Sequence, residues 1–404
     1  MRRLKISLIV VLSIITLGLC GVLAYGMTGH PVYENANKDY TGMYLVLEEE
    51  IPLDGIDNIS VLYGMNSNDI FLYEGEGDSL IVKEYCTSEP DDEELSTVTV
   101  SEKSLEIKGK KRNHIVFFQP FSFGYAHGCV KLWLPASYKG KLTLATASGD
   151  IISEPELVIE EDFAASSVSG NLKISAISAE NVDIASTSGD VQISQINTDG
   201  KMNIATTSGD MQLQQLNGSA DISSVSGCVR TEAISGNIQL ATTSGNIILQ
   251  CVDGNADVST TSGDVEIQEG KGDRSISSIS GDILVKEMEG SFDISTTSGE
   301  IRVQAQEGQG KAETSSGDIS VELSGLTGNL NMNSTSGDVN IKLPESDSFD
   351  FEADTTSGDI NTFFDDNLKF SKKGNNAQGT YGTNRNGSRI DIETTSGDIK
   401  ITNK

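Results

Sequence analysis

Aromatic residues make up only 6% of this 404-residue chain, and tryptophan occurs once, at Trp133. Apolar residues as a whole reach 37%, below the usual globular share. The three histidines are His30, His114 and His127, so the chain beyond them lacks the side chain that most readily moves protons near neutral pH. Five cysteines show no CxxC spacing, which removes the common zinc frameworks. Cys20 lies in an apolar run. Cys86 and Cys129 form a candidate disulfide, with free thiols as the plainer reading. Basic residues are also scarce, 29 Lys and Arg against 59 Asp and Glu, giving a formal net charge of −30. Nucleic-acid binding, which neutralises phosphates with Lys and Arg, is excluded on that balance. Anionic headgroups and anionic wall polymers are repelled as well, unless loosely bound divalent cations bridge them. Long apolar runs are missing after the N-terminus, whereas 41 glycines exceed the usual share. The composition fits a thin core with many turns.

The one long apolar run is Ile6 to Tyr25, twenty residues without a charge. As a helix it spans the ~30 Å hydrocarbon core of a bilayer. Arg2, Arg3 and Lys5 precede it while Glu34 and Asp39 follow, so a cytoplasmic N-terminus and an extracytoplasmic bulk are expected. A cleaved signal peptide competes, because Val22-Leu23-Ala24 places small residues at a cleavage position. The run exceeds a usual signal core, which favours a retained transmembrane anchor over residues 1–26, followed by a polar juxtamembrane stalk over 27–55.

Residues 56–140 alternate in strand fashion, as in Ile59-Ser60-Val61-Leu62-Tyr63 and Val130-Lys131-Leu132-Trp133-Leu134. The acidic run Glu89 to Glu94 reads as a solvated loop. Phe117 to Tyr125 concentrates aromatic residues, and reads first as a cap over the open end of a core, second as a ligand-contact loop.

From Ser148 onward the tripeptide Ser-Gly-Asp recurs, with variants such as Ser169-Gly170-Asn171 and Ser298-Gly299-Glu300. Gly209, Gly227, Gly245, Gly263, Gly281, Gly299 and Gly317 are eighteen residues apart, with midpoint glycines such as Gly254 and Gly272. A fixed period of this length predicts an all-β parallel β-solenoid over 141–360, each coil holding two short strands and two turns. Around Gly263, period-two alternation turns Ala256, Val258, Thr260, Ser262, Val265 and Ile267 inward, with Ile276 and Ile279 completing the next coil. The third residue before each repeat glycine is Ser or Thr, and stacked hydroxyls are expected to satisfy one another. Glycine is expected to supply a positive φ at the corner.

Sharper readings of the ladder are weaker. The corner aspartates lack the paired glycines of a calcium roll, outward Thr207, Thr243, Thr261 and Thr297 form a broken ice-binding row, and the turns are too short to wall a catalytic cleft. Residues 361–404 hold irregular coils and a final repeat. The stretch Asn361 to Ser388, with Phe363, Phe364, Phe370, Lys372, Lys373, Tyr381 and Arg385, reads as a cap before it reads as an active site. No residue stands out as catalytic, cofactor-binding or metal-ligating, and no cofactor is expected.

The strand Val130 to Pro135 leading into Thr146-Ala147-Ser148-Gly149-Asp150-Ile151 resembles the bacterial putative-adhesin family of β-strand-repeat proteins, a domain of unknown function. Phe349-Asp350-Phe351 leading into Thr355-Thr356-Ser357-Gly358-Asp359-Ile360 repeats the pattern, and with the anchor the layout is similar to LiaG-type proteins. The resemblance implies surface attachment or an envelope-stress role, with no catalytic residues to carry over. The function expected is a non-enzymatic cell-envelope scaffold presenting an acidic repetitive surface to a protein or glycan partner. The alternative is a carbohydrate-active β-helix enzyme.

Overall fold

The structure, a computed structural model, describes residues 42–64, 68–87, 95–110, 115–117, 123–125, 128–383 and 387–404, with backbone only at 115–117 and 123–125. The Ile6–Tyr25 run, all three histidines, Glu89 to Glu94 and Arg385 lie outside the described residues. Among those described there is no α-helix, and no helix long and apolar enough to cross a membrane. Two compact units divide the chain, one ending at Ser223 and one covering Ser224–Lys404.

The unit ending at Ser223 is a parallel β-solenoid. In one stack Asn58–Tyr63, Lys141–Thr146, Asp162–Ser167, Asn181–Ser186 and Met202–Ser208 lie side by side. In the other, Asn68–Gly75 is followed by Ile151–Val158, Leu172–Ser178, Val191–Asn197 and Met211–Asn217. In-register apolar residues such as Ile70, Ile151, Leu172, Val191 and Met211 fill the core, each essentially inaccessible. The solenoid therefore starts before residue 141, and part of the expected pre-repeat region is an ordinary coil.

Chain order fails at this end. The coil formed by Asn58–Tyr63 and Asn68–Gly75 sits between the Lys141–Val158 coil and a coil made from Ser104–Lys108 and Gly128–Pro135. Antiparallel pairing closes the stacks: Thr97–Ser101 runs against Ser104–Lys108 on one, and on the other Ser79–Cys86 runs against Gly128–Pro135 and Tyr44–Pro52 against Ser79–Cys86, back in the coils' direction. Tyr44–Pro52 is thus a sheet strand, and the expected stalk does not extend to residue 55. Cys86 stands opposite Gly128 and Cys129 opposite Tyr85, so alternation sends the two cysteines to opposite faces. Both are buried thiols, not a disulfide.

The Ser224–Lys404 unit repeats the same architecture through Val229–Ser235, Ile238–Ser244 and their successors, with Ile283–Ser298 and Ile301–Ser316 each running through both stacks. Here too sequence order breaks. The last coil, Arg389–Ser396 and Ile399–Asn403, lies between the Leu326–Leu343 coil and the Phe349–Thr362 coil. The intervening residues leave as Asn376–Tyr381, antiparallel to Phe349–Ser357, and Leu368–Phe370, antiparallel in turn to Asn376–Tyr381. Phe349, Phe351 and Phe364 are buried there, with ring centroids 5.4 and 5.5 Å apart in edge-to-face pairs. They seal apolar core rather than line a cleft.

The corner chemistry differs from the expected ladder. All thirteen Ser and Thr residues three before the repeat glycines are buried. Most bond backbone instead of one another: Ser167 Oγ donates to the Gly149 carbonyl at 3.1 Å and accepts the Gly170 amide at 2.8 Å. Thr242 donating to Thr260 at 2.9 Å is a direct hydroxyl contact. The glycines are required by stacking, since a Cβ on Gly170 or Gly281 would overlap the carbonyl oxygen of the glycine one coil earlier. A positive φ adds to this at Gly263 and Gly281 but not at Gly149 or Gly170. Each corner Asp or Asn then accepts the next coil's amide, as Asp264 accepts Asp282 N–H at 3.0 Å. That bond engages a carboxylate oxygen a calcium roll would need, and the described residues hold no metal-competent cluster. Ser262 and Ile279 are exposed rather than inward, because alternation stops where the chain turns.

One inward position of the Ser224–Lys404 unit is charged. Arg274 lies between Ala256 and Phe292 in register and is only 1% exposed. Its guanidinium donates to the carbonyls of Gly254 at 2.7 Å and Val252 at 2.9 Å. The same coil has Gly270 where its neighbours have Val252 and Met288, which vacates core volume. Burial pulls the Arg274 pKa down, while Asp253 and Asp273 act to raise it.

Candidate functional site

Strand alternation gives every coil an outward face, and along most of this stack that face is polar: Lys173, Gln192 and Gln212 follow one another in register. At the end closed by reversed strands its character changes. Asn68–Gly75 turns Ile70 and Leu72 inward, which leaves Phe71 and Tyr73 outward and half-buried. Gly128–Pro135 does the same with Lys131 and Trp133, and Ser79–Cys86 with Ile81, Lys83 and Tyr85.

Register sets these side chains in rows across the strands. Glu50, Ile81, Trp133 and Tyr73 form the first row, and Glu48, Lys83, Lys131 and Phe71 the second. Leu45, Tyr85, Cys129 and Asp69 form the third. Tyr73 and Trp133 stack with centroids 5.4 Å apart and planes inclined by 29°. Phe71 and Tyr73 lie nearly parallel at 6.3 Å. Together Tyr73, Lys83, Tyr85, Lys131 and Trp133 line a shallow concavity of about 250 Å³.

Both lysines lie over rings. Lys83 Nζ is 5.6 Å from the Trp133 centroid and Lys131 Nζ is 5.3 Å from that of Tyr85. Such contacts fix an ammonium above a negative ring face. Lys83 is also paired with Glu48 at 2.9 Å, and that carboxylate holds its pKa above the ordinary lysine value. Burial raises the Tyr73 phenol, and Glu154 adds to the effect. The rings, the donors and a carboxylate rim are therefore held ready rather than loose.

The sequence pointed elsewhere for aromatic residues. Ile115–Phe117 and Phe123–Tyr125 pair as a small antiparallel sheet, whose side chains lie outside the description. The platform was missed because its rings come from three separated strands. Its signal was nonetheless present: Ile70-Phe71-Leu72-Tyr73 is apolar on both faces, as a strand with solvent on one side normally is not.

Comparison with known proteins bears on the whole chain. The family model for Toastrack DUF4097 matches residues 56–277 and 270–402. A candidate cell adhesion protein from Clostridium sporogenes is 11% identical, with 89% of this chain and 100% of that one covered, at a TM-score of 0.20. A candidate adhesin from Parabacteroides merdae is 13% identical over 66% of this chain and 95% of its own, at 0.32. Another, from Parabacteroides distasonis, is 14% identical over 89% and 98%, at 0.23. At these TM-scores none of the three fixes the arrangement found here. No curated protein matches.

Proposed function

The chain belongs to the Toastrack DUF4097 family, and from that premise we propose that it is a non-enzymatic surface protein of adhesin type whose contact surface is the aromatic face around Trp133. The observation that carries this is the outward-facing, half-buried stack of Tyr73 on Trp133, in a chain otherwise acidic and poor in rings. Exposed apolar patches with rigid aromatic anchors are what recognition surfaces are built from. Among the described residues the concavity is lined by two lysines and three rings, and the adjacent carboxylate of Glu48 is held in an ion pair with Lys83. A membrane anchor over Ile6–Tyr25, an extracytoplasmic solenoid, loose divalent-cation association at the acidic corners and a role in envelope stress belong to the same proposal.

The test is cosedimentation of the purified chain beyond residue 26 with isolated bacterial envelopes, wild type against Trp133→Ala. Binding should be saturable and lost in the variant, with no reducing ends released from the envelope glycans. Equal binding by both proteins would remove the aromatic face from the function, and release of reducing ends would revive the carbohydrate-active enzyme.

A further inference from the structure

We infer that a second concavity, beside Pro155, takes one cationic side chain of a basic partner protein, with its stem on Leu134 and Tyr138 and its charge between Glu74 and Glu156. It shares no lining residue with the aromatic concavity, and the inference stands without that face. Asn68–Gly75 and Ile151–Val158 pair in parallel only as far as Leu72 and Ser153. Past that point a bulge between Ser153 and Glu156, containing Pro155, shifts the second strand against its other neighbour. Asn68–Gly75 meanwhile stays paired with Gly128–Pro135 to its last residue. The two strands therefore part, and a concavity of about 260 Å³ opens there. Coil order builds its wall. Ala136 to Gly140 cross the intervening coil, because the strands before and after them lie on opposite sides of it. The crossing is tied down by Lys141 N–H on the Asp57 carbonyl at 2.8 Å and by Tyr138 Oη donating to the Lys141 carbonyl at 2.7 Å.

The lining joins apolar surface to acid. Leu134, Tyr138 and Leu157 are buried and form its apolar part. Glu74 comes from one of the parting strands and Glu156 from the other, both exposed. Lys139, in the same lining, donates its ammonium to the Val158 carbonyl at 3.1 Å and is thereby turned across the corner. Two carboxylates against one ammonium leave the described lining one net negative charge, and the chain's formal −30 adds to its field. An anion is repelled, and a neutral apolar group leaves both carboxylates without use. A bare metal ion leaves the apolar part without use, and the described residues hold no metal-competent cluster. A lysine or arginine side chain answers both parts, because its methylene stem covers apolar surface while its head stays charged. Its N–H groups donate and the carboxylates accept. A volume of about 260 Å³ falls below the usual range of small-molecule pockets and suits one long side chain.

The full chain is titrated with fluorescein-labelled pentapeptides that carry one central lysine or arginine between alanines, while polarisation is followed. Matched peptides carry norleucine or glutamate at the centre. At least one basic peptide should bind saturably, and the norleucine and glutamate peptides should not. Glu74→Gln and Glu156→Gln should each weaken that binding about five-fold. Both carboxylates are exposed, so circular dichroism and melting should be unchanged. Glu269→Gln, at an exposed carboxylate of the other unit, should have no effect. If all three variants lose binding equally, or if Glu74→Gln and Glu156→Gln bind like wild type, the peptides follow net charge and the site falls. It falls equally if neither basic peptide binds saturably. Binding of the norleucine peptide as tightly as the basic ones would overturn the cationic assignment.

Discussion

Asp338 accepts the backbone N–H of Asp398 on its Oδ1 at 2.8 Å, although 60 residues separate them. Asp398 in turn accepts the N–H of Asp359 at 2.9 Å, so the corner ladder runs 338, 398, 359. The last repeat is an interior coil, and the chain's end is held on both sides.

Two deletions separate interior position from repeat number. Ending the chain at Ser388 strips Phe349–Ser357 of its parallel neighbour and opens the core between two coils. It should lose cooperative unfolding and become protease-sensitive beyond Leu343. Removing Asp264 to Gly281 joins Gly263 to Asp282 and leaves each remaining coil an equivalent neighbour. That protein should keep near-wild-type β circular dichroism. Equal stability of the two would show that coil order at the end does not matter.

At the corners, glycine should matter more than hydroxyl. Gly281→Ala places a methyl group against the Gly263 carbonyl at a φ of 148°, and should cost about 3 kcal/mol or more. Thr355→Val removes a 3.1 Å bond to the Gly397 carbonyl and should cost only about 1 kcal/mol. Urea unfolding ranks the two, and the reverse order would mean the corner is held by its hydroxyls.

Arg274 offers a case where removing a charge is harmless. Arg274→Met keeps most of the buried volume and removes the desolvated guanidinium, so its melting temperature should be unchanged or higher. Arg274→Ala removes the donors to the Val252 and Gly254 carbonyls as Arg274→Met does, but adds a cavity beside Gly270, at a cost of about 2–5 kcal/mol. If the methionine variant melts below wild type, the guanidinium's hydrogen bonds outweigh its desolvation.

Thiol labelling checks the sheet at the other end. Burial pushes the Cys129 thiol up to about 11, so near pH 8 only about a thousandth is thiolate. Cys228 is exposed. Iodoacetamide followed by peptide mapping should label Cys228 in the native protein, and Cys129 only after denaturation. Early labelling of Cys129 would place it at the surface.

Much of this was legible in the repeat. Alternation around Gly263 turned Val258, Val265 and Ile267 inward correctly, because a period of two leaves one choice of face. It misplaced Ser262, where the strand has already become a corner. It could not order the end coils, since Asp359 and Asp398 carry the same motif and either satisfies the Asp338 carboxylate. That choice rests on the length of chain between Thr362 and Arg389, which the period does not encode. The aromatic face was hidden for a related reason: alternation says that Tyr73 and Trp133 point outward, but only strand order makes them neighbours.

The reversed strands at the ends of the stacks carry a consequence for how many molecules share one surface. A parallel stack ending on a bare coil offers a second copy a ready template, each added chain renewing the same edge, and growth of that kind yields filaments. Past the coil of Ser104–Lys108 and Gly128–Pro135, one stack carries Thr97–Ser101, antiparallel to its neighbour, while the other carries Ser79–Cys86 and then Tyr44–Pro52, each antiparallel to the strand before it. Among the described residues the two stacks therefore no longer end together on a bare coil, and beside the Phe349–Thr362 coil the added strand Leu368–Phe370 is followed by the exposed cations Lys372 and Lys373. An end of this kind gives a second copy no matching coil edge to extend, which disfavours filament growth between crowded molecules.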